Sequence, residues 1–283
     1  MNLDPGSREW NENIVRLYRV AGRAEFPALL AECLAGVLAL DSFLVFSYRG
    51  EDRPELLYAR LHSGRRRDVR FYLEGAYLLD PFYRLFLEGA CSGVYPLAAV
   101  APDHFTQSDY FRSYYKYADL DDEVNIFINA EPAGLIALAL GRARGKPAFS
   151  QQERTLLENM EPVLSELCRR HWAGPGAGME TAAGQDANRR FLRGMSRFAS
   201  SVLSVKEREV MQLLLMGHSV KSTAARMGIS PGTVKIHRNN IYAKLDIGSQ
   251  TELFSLFIGA MSTMPGDGDE DPLLAYQARP ETS

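Results

Sequence analysis

The sequence contains no apolar run of about eighteen residues, which excludes a transmembrane helix. Its N-terminus, MNLDPGSREW, has no basic start leading into an apolar stretch, so no secretory leader is expected and the chain reads as cytoplasmic. Cysteine is scarce. The three, Cys33, Cys91 and Cys168, lie far apart with no CxxC or Cys/His spacing. That excludes a disulfide framework and a zinc site, and leaves small buried side chains in a reducing compartment. No GxxxxGK[ST] occurs, so there is no P-loop nucleotide site. Asp80, His104 and Glu123 are scattered and carry no acid/base geometry, and no nucleophile motif is found. Enzyme activity, a metal and a cofactor are therefore not expected, and no internal repeat is visible.

What remains is 283 residues of ordinary globular composition, enough for two domains. The net charge of −3, taken as a whole, is unsuited to nucleic acid but hides an asymmetry. Residues 203–260 carry seven Lys/Arg against four Asp/Glu, and Arg189, Arg190, Arg193 and Arg197 stand just upstream. A local basic patch matters more for phosphate contact than the whole-chain sum. Composition shifts at AGPGAGMETAAGQDAN (173–188), rich in Gly, Ala and polar residues without apolar period. The expected organisation is a first domain at 1–172, a linker at 173–197, a second domain at 198–262 and a disordered acidic tail at 263–283.

The first 172 residues predict an α+β fold. Residues 10–39 have helical apolar period; FLVFSYRG (43–50) and ELLYARL (55–61) are strand-like around a polar turn. Arg65–Leu79 reads as helix, and Pro81 opens a short one at its first position. EVNIFINA (123–130) and GLIALALGR (134–142) form a hairpin. Ser150-Gln151-Gln152-Glu153 has capping-box spacing and starts a helix to about Trp172. Helix, strand pair, helices, strand pair, helix resembles the order of a GAF- or PAS-like domain.

The last third predicts four helices. Ser204-Val205-Lys206-Glu207 is a second capping box, and Gly217 stops the helix it opens. Ser219 caps Val220–Met227, which Gly228 ends. Ser230-Pro231 is an N-cap followed by proline at the first position of Pro231–Leu245. Val234, His237, Ile241 and Leu245 recur at helical spacing and form its expected buried stripe, with Asn240 in a supporting role. The other side offers Thr233, Lys235, Ile236, Arg238, Asn239 and Tyr242. Two short helices across a tight glycine turn, the second with a polar face, make a helix-turn-helix. Lys235 and Asn239 suit base edges; Lys221 and Arg238 suit phosphates, with Ser230 at the helix start.

These residues resemble a known family. Leu203-Ser204-x-x-Glu207-x-Glu209-Val210, Gly217-x-Ser219-x-Lys221, Ala224-Ala225-x-x-x-Gly228-Ile229-Ser230 and Thr233-Val234-Lys235-x-His237-x-x-Asn240-Ile241-x-x-Lys244-Leu245 together are similar to the LuxR-type DNA-binding domain. Departures fall at Val220, Ser222-Thr223 and Gln250. The resemblance implies that the third helix enters the major groove of double-stranded DNA. It also implies that the fourth, Thr251–Met261, pairs two copies into a homodimer, and that RNA polymerase is a partner. A sequestering protein with an idle DNA face is the alternative.

The order of segments before the linker is similar to the autoinducer-binding domains of this family. That likeness implies Asp80 as polar anchor and Phe71, Tyr72 and Tyr95 as pocket walls for a small-molecule effector. Asp80 can equally cap the helix at Pro81. The ligand class stays open.

Overall fold

In the computed structural model, residues 6–50, 53–61, 69, 72–73, 75–115, 118–173, 194–262 and 270–278 are described. They form α1 (Arg8–Val20), α2 (Phe26–Val37), β1 (Ser42–Tyr48), β2 (Glu55–Arg60), α3 (Pro81–Leu87), β3 (Gly93–Pro96), α4 (Leu97–Val100), β4 (Leu120–Asn129), β5 (Leu135–Ala143), α5 (Gln151–Trp172), α6 (Val205–Leu215), α7 (Val220–Met227), α8 (Pro231–Leu245), α9 (Gln250–Ser262) and α10 (Pro272–Gln277). Short 3-10 turns cover Ala76–Leu79 and Phe105–Gln107, and a π turn covers Phe111–Tyr115. The chain divides into two compact units. The first gathers Met1–Arg66, Leu85–Val100 and Ala118–Thr181. The second gathers Arg67–Arg84, Ala101–Tyr117 and Ala182–Ser283.

The first unit is built on an antiparallel sheet of order β2-β1-β5-β4-β3. Side chains alternate across it, so each strand feeds two faces. One face carries Phe43 and Val45 of β1, Val124, Ile126 and Ile128 of β4, and Ile136, Leu138 and Leu140 of β5. These pack with α1, α2 and α5 into the main core, where Leu30, Leu34, Leu157 and Leu164 are fully buried. Branched side chains on a pleated surface and leucines on the covering helices give the close packing that stabilises such layers. The other face is also buried but is built differently. Ala137 and Ala139 on the central strand lie in register with Phe46 and Leu44 on one side and Phe127 and Asn125 on the other.

Ser150 caps α5 as its spacing predicts, accepting from the Glu153 amide while Glu153 accepts from the Ser150 amide. Glu153 is also bonded by Arg142, whose guanidinium lies 4.3 Å over the Phe149 ring. The hairpin between β4 and β5 closes at Gly134, which adopts φ +83°. A methyl group there would collide with the Tyr48 carbonyl oxygen, so only glycine fits. Strand β3 has no counterpart among the predicted elements. Its four residues are too few to show a period and are held by the register Gly93↔Phe127 to Pro96↔Val124. Of the predicted helix Arg65–Leu79, residues 65–68, 70, 71 and 74 lie outside the described residues, and its end, Ala76–Leu79, is a 3-10 turn. Cys33 and Cys168 are buried as expected, and burial pushes the Cys33 thiol up to about 11, whereas Cys91 is exposed.

The second unit contains α6 to α10. Within the stretch expected to be a disordered tail, Pro272–Gln277 forms α10 against α9. Asp271 caps it and is itself buried. Tyr276 lies so close to Gly259 of α9 that a side chain there would press into its ring. No helix among the described residues is long and apolar enough to cross a membrane, and no cluster of metal-binding side chains occurs among them.

Candidate nucleic-acid interface

Local chemistry fixes the helix ends that shape the interface. The Ser219 side chain accepts from the Ser222 amide and starts α7. Gly228 then takes the left-handed conformation, φ 65°, that ends it, and the Ile229 amide returns to the Ala224 carbonyl at 3.0 Å. The Ser230 side chain accepts from the Thr233 amide at 3.0 Å and Pro231 takes the first position of α8. Asp246 closes α8 at φ 53°.

Three residues of the expected stripe, Val234, Ile241 and Leu245, are buried; His237 is only half-buried. Asn240, expected in a supporting role, is exposed. The opposite surface is open. Lys235 and Asn239, four apart and so on one line of the helix, are exposed, and Ile236 is 61% exposed. Thr233, Arg238 and Tyr242 are half-buried along the margin. The buried Nε of Arg238 has no hydrogen-bond partner among the described residues. Burial raises the Tyr242 hydroxyl above its ordinary value; Arg238 opposes this, and the Asp109 and Glu252 carboxylates add to it. Lys221 is exposed on the first turn of α7. A half-turn of exposed amide, ammonium and apolar side chain can read a major groove, and the flanking cations can meet phosphates.

Other basic residues of this unit are tied up. The Lys206 ammonium bonds Glu209 at 2.8 Å, and Arg208 bonds the Ser196 carbonyl at 2.7 Å. Lys244 bonds Glu207 at 2.7 Å and joins α8 to the start of α6. Glu207 also accepts from the Ser204 amide at 2.8 Å, completing the capping box. Burial works to raise the Glu207 carboxyl, but the Lys244 and Ser204 hydrogen bonds outweigh it and hold it at about 2 instead of 4.5. A folded value below the unfolded one stabilises the protein above pH 4.5, and that stabilisation is lost as pH falls toward 2. Urea unfolding across this window is expected to show the loss in the wild type, with a flatter profile in Glu207→Gln.

Gln250, one of the departures from the family pattern, donates to the Leu214 carbonyl at 3.0 Å and ties α9 to α6. The apolar side of α9 is spent inside its own unit. Leu253, Phe254, Phe257, Ala260 and Met261 are buried, and Phe198 meets Phe257 edge-on at 5.3 Å.

Of the four residues assigned to an effector, Phe71 lies outside the described residues. Tyr72 and Asp80 meet in the second unit, where the Tyr72 hydroxyl donates to Asp80 Oδ2 at 2.6 Å. Asp80 Oδ1 accepts from the Phe82 amide at 2.9 Å, so the carboxylate also caps α3. Burial pushes the Asp80 carboxyl up to about 6, against the lowering effect of hydrogen bonds from Tyr72, Phe82 and Tyr83. Tyr72 packs against Tyr77 and Tyr114 at 6.1 and 5.2 Å between ring centres. Tyr95 belongs to the first unit, where its hydroxyl donates to the Cys91 carbonyl and its ring lies 5.0 Å from Phe127. That unit also holds a cavity of about 590 Å³ whose walls include Tyr48, Arg49, Phe86, Cys91, Glu131 and Leu135. None of these six was assigned to an effector from the sequence, because they come together only when β1, β5 and the segment after α3 assemble.

Residues 201–257 match the model of bacterial regulatory proteins, luxR family. An HTH-type transcriptional regulator in the exeN 3' region of Aeromonas salmonicida is 31% identical over 190 residues, 66% of this chain and 96% of that one. The monoamine regulon transcriptional regulator of Klebsiella aerogenes is 26% identical over 232 residues, 81% of this chain and 89% of that one. The crystal structure of the VqsR LBD domain from Pseudomonas aeruginosa covers 60% of this chain and 100% of its own, with TM-score 0.51 and 22% identity, so the two share a fold.

Proposed function

Because this chain belongs to the luxR family of bacterial regulatory proteins and is a transcriptional regulator, we propose that it binds specific double-stranded DNA through α8 under the control of a small-molecule effector. The observation that carries this reading is the open patch of Lys235, Ile236 and Asn239 on a helix whose other side is buried. Lysine and asparagine can hydrogen-bond base edges, and an apolar side chain beside them suits a thymine methyl. Lys221, Ser230, Thr233, Arg238 and Tyr242 flank that patch and position the helix on the backbone. Residues 198–262 are then the DNA-binding domain and 1–172 the sensory domain, acting in the cytoplasm with RNA polymerase as a further partner.

The proposed effector is small and amphiphilic. Support comes from the cavity of about 590 Å³ whose walls include two aromatic rings, Tyr48 and Phe86, with one arginine and one glutamate. The buried Asp80 carboxylate among the tyrosines of the second unit is a separate candidate anchor for such a molecule. Function as a homodimer predicts a near-palindromic operator with half-sites about one helical turn apart. Selection of bound sequences from a random duplex pool by the full chain tests this directly. A two-fold symmetric consensus is the expected result, and retention of no consensus would refute sequence-specific binding.

A further inference from the structure

The second unit includes a segment from far upstream, residues 103–109, that touches two of its helices, α7 and α9, and the turn between α6 and α7. The Asp103 carboxylate lies at the start of α7. Its Oδ1 accepts from the Ser219 amide at 3.0 Å and the Ser222 hydroxyl at 2.7 Å, and its Oδ2 accepts from the Ser219 hydroxyl at 2.5 Å. The His104 amide donates to the Gly217 carbonyl at 3.1 Å. Gly217 adopts φ +93°, and a methyl group on it would come within 3.0 Å of the Phe105 Cα, so the two backbones run nearly in contact. At the far end, the Thr251 hydroxyl on α9 donates to the buried Asp109 carboxylate at 2.8 Å. Asp103 itself is exposed.

In a helix-turn-helix the first helix crosses the DNA backbone while the second enters the groove. Here the first helix is α7. A phosphate approaching its start is attracted by free amides and the helix dipole, and it needs hydroxyl and amide donors. The three donors that Asp103 occupies, two hydroxyls and one amide, are of that kind. A carboxylate and a phosphate are both anions and cannot share them. Lys221, exposed two residues after Ser219, remains to draw DNA in.

Resting on the DNA-binding reading above, we propose that residues 103–109 are an autoinhibitory clasp, in which Asp103 holds the seat that a DNA phosphate takes at the start of α7. Three anchors share the task. Asp103 blocks the donors, the Gly217 contact sets the segment's height, and Asp109 fastens it to α9. The segment continues into the rings of Phe111–Tyr115, and Tyr114 lies 5.2 Å from Tyr72, the partner of Asp80. A ligand that repacks these rings therefore pulls on the clasp.

The test uses the full chain and a labelled short duplex of random sequence, followed by fluorescence anisotropy over a salt series. Asp103→Ala is expected to bind about fivefold more tightly than the wild type, the equivalent of about one net hydrogen bond. Its plot of log affinity against log salt is expected to steepen by about 0.9 for the phosphate gained. Thr251→Val, which frees the other end, is expected to shift affinity in the same direction, so the outcome does not hang on one variant. Hydrogen exchange at the amides of residues 219–222 is expected to quicken in Asp103→Ala. Wild-type affinity, slope and exchange in both variants would overturn the clasp while leaving DNA binding intact. Loss of binding in Asp103→Ala would likewise overturn it, by showing that the contact supports the bound state. If neither wild type nor variants retain duplex, the DNA-binding reading falls and the clasp with it.

Discussion

Alanine at Lys235 or Asn239 is expected to weaken binding to the selected operator by about 1–3 kcal/mol each, roughly 5- to 150-fold. Both side chains are exposed on α8, and neither serves the fold. Their truncation should leave the unfolding midpoint in urea unchanged, which separates a lost contact from a lost structure. The penalty belongs to the operator. Against a random duplex the same variants are expected to lose far less, because base contacts specify whereas phosphate contacts hold. Lys221→Ala, on the first turn of α7, is expected to behave in the opposite way. It should weaken operator and random duplex alike and reduce the salt slope by about 1. Competition binding with both duplexes measures all three. Equal losses on both duplexes for Lys235→Ala and Asn239→Ala would remove the groove assignment and leave these residues as general anion contacts.

The neighbouring Ile236 explains why two polar residues are not the whole surface. A side chain that is 61% exposed at the centre of a polar face costs solvation in the free protein. That cost is recovered only when something apolar covers the residue, and the thymine methyl is the apolar feature of a major groove. Ile236→Ala is a milder change than loss of Lys235 or Asn239, because it removes contact area without orphaning a hydrogen-bonding base.

What was legible in the sequence is what short-range chemistry decides. Ser219 and Gly228 bound α7, and Ser230-Pro231 starts α8, at the residues where these signals stand. The capping boxes at Ser150 and Ser204 form with both of their hydrogen bonds. The hydrophobic period placed Val234, Ile241 and Leu245 inward for the same reason. What escaped depends on partners distant in sequence. His237 keeps the spacing of the buried stripe yet is half-buried, since periodicity gives direction and not depth of cover. The clustering of 67–84 and 101–117 with the last third has no local signature at all. Asp103 is one carboxylate in a polar loop until Ser219 and Ser222, more than a hundred residues on, are brought beside it.

Asp271 shows how a compositional signal can mislead, and it carries the largest expected effect on stability. An acidic stretch with glycine and proline suggests a solvated tail. Yet Asp271 is buried and accepts four hydrogen bonds. The Ala199 amide reaches Oδ1 at 2.8 Å, and the Ser201 amide and hydroxyl reach Oδ2 at 2.8 and 2.6 Å. The Leu273 amide completes the set at 3.0 Å and so caps α10. One carboxylate thus joins the turn before α6 to the helix that covers α9. Asp271→Ala strands buried amides and removes a charged acceptor, for an expected loss of about 3 kcal/mol. Asp271→Asn keeps the shape and one acceptor oxygen and is expected to lose about half of that. Urea unfolding of the two variants measures both losses. Hydrogen exchange then distinguishes local from global damage: protection should fall first in α10 and at Ala199 and Ser201, ahead of α6 and α8. A loss below about 0.5 kcal/mol, the scatter of ordinary surface changes, would mean that the segment after α9 is only lightly attached.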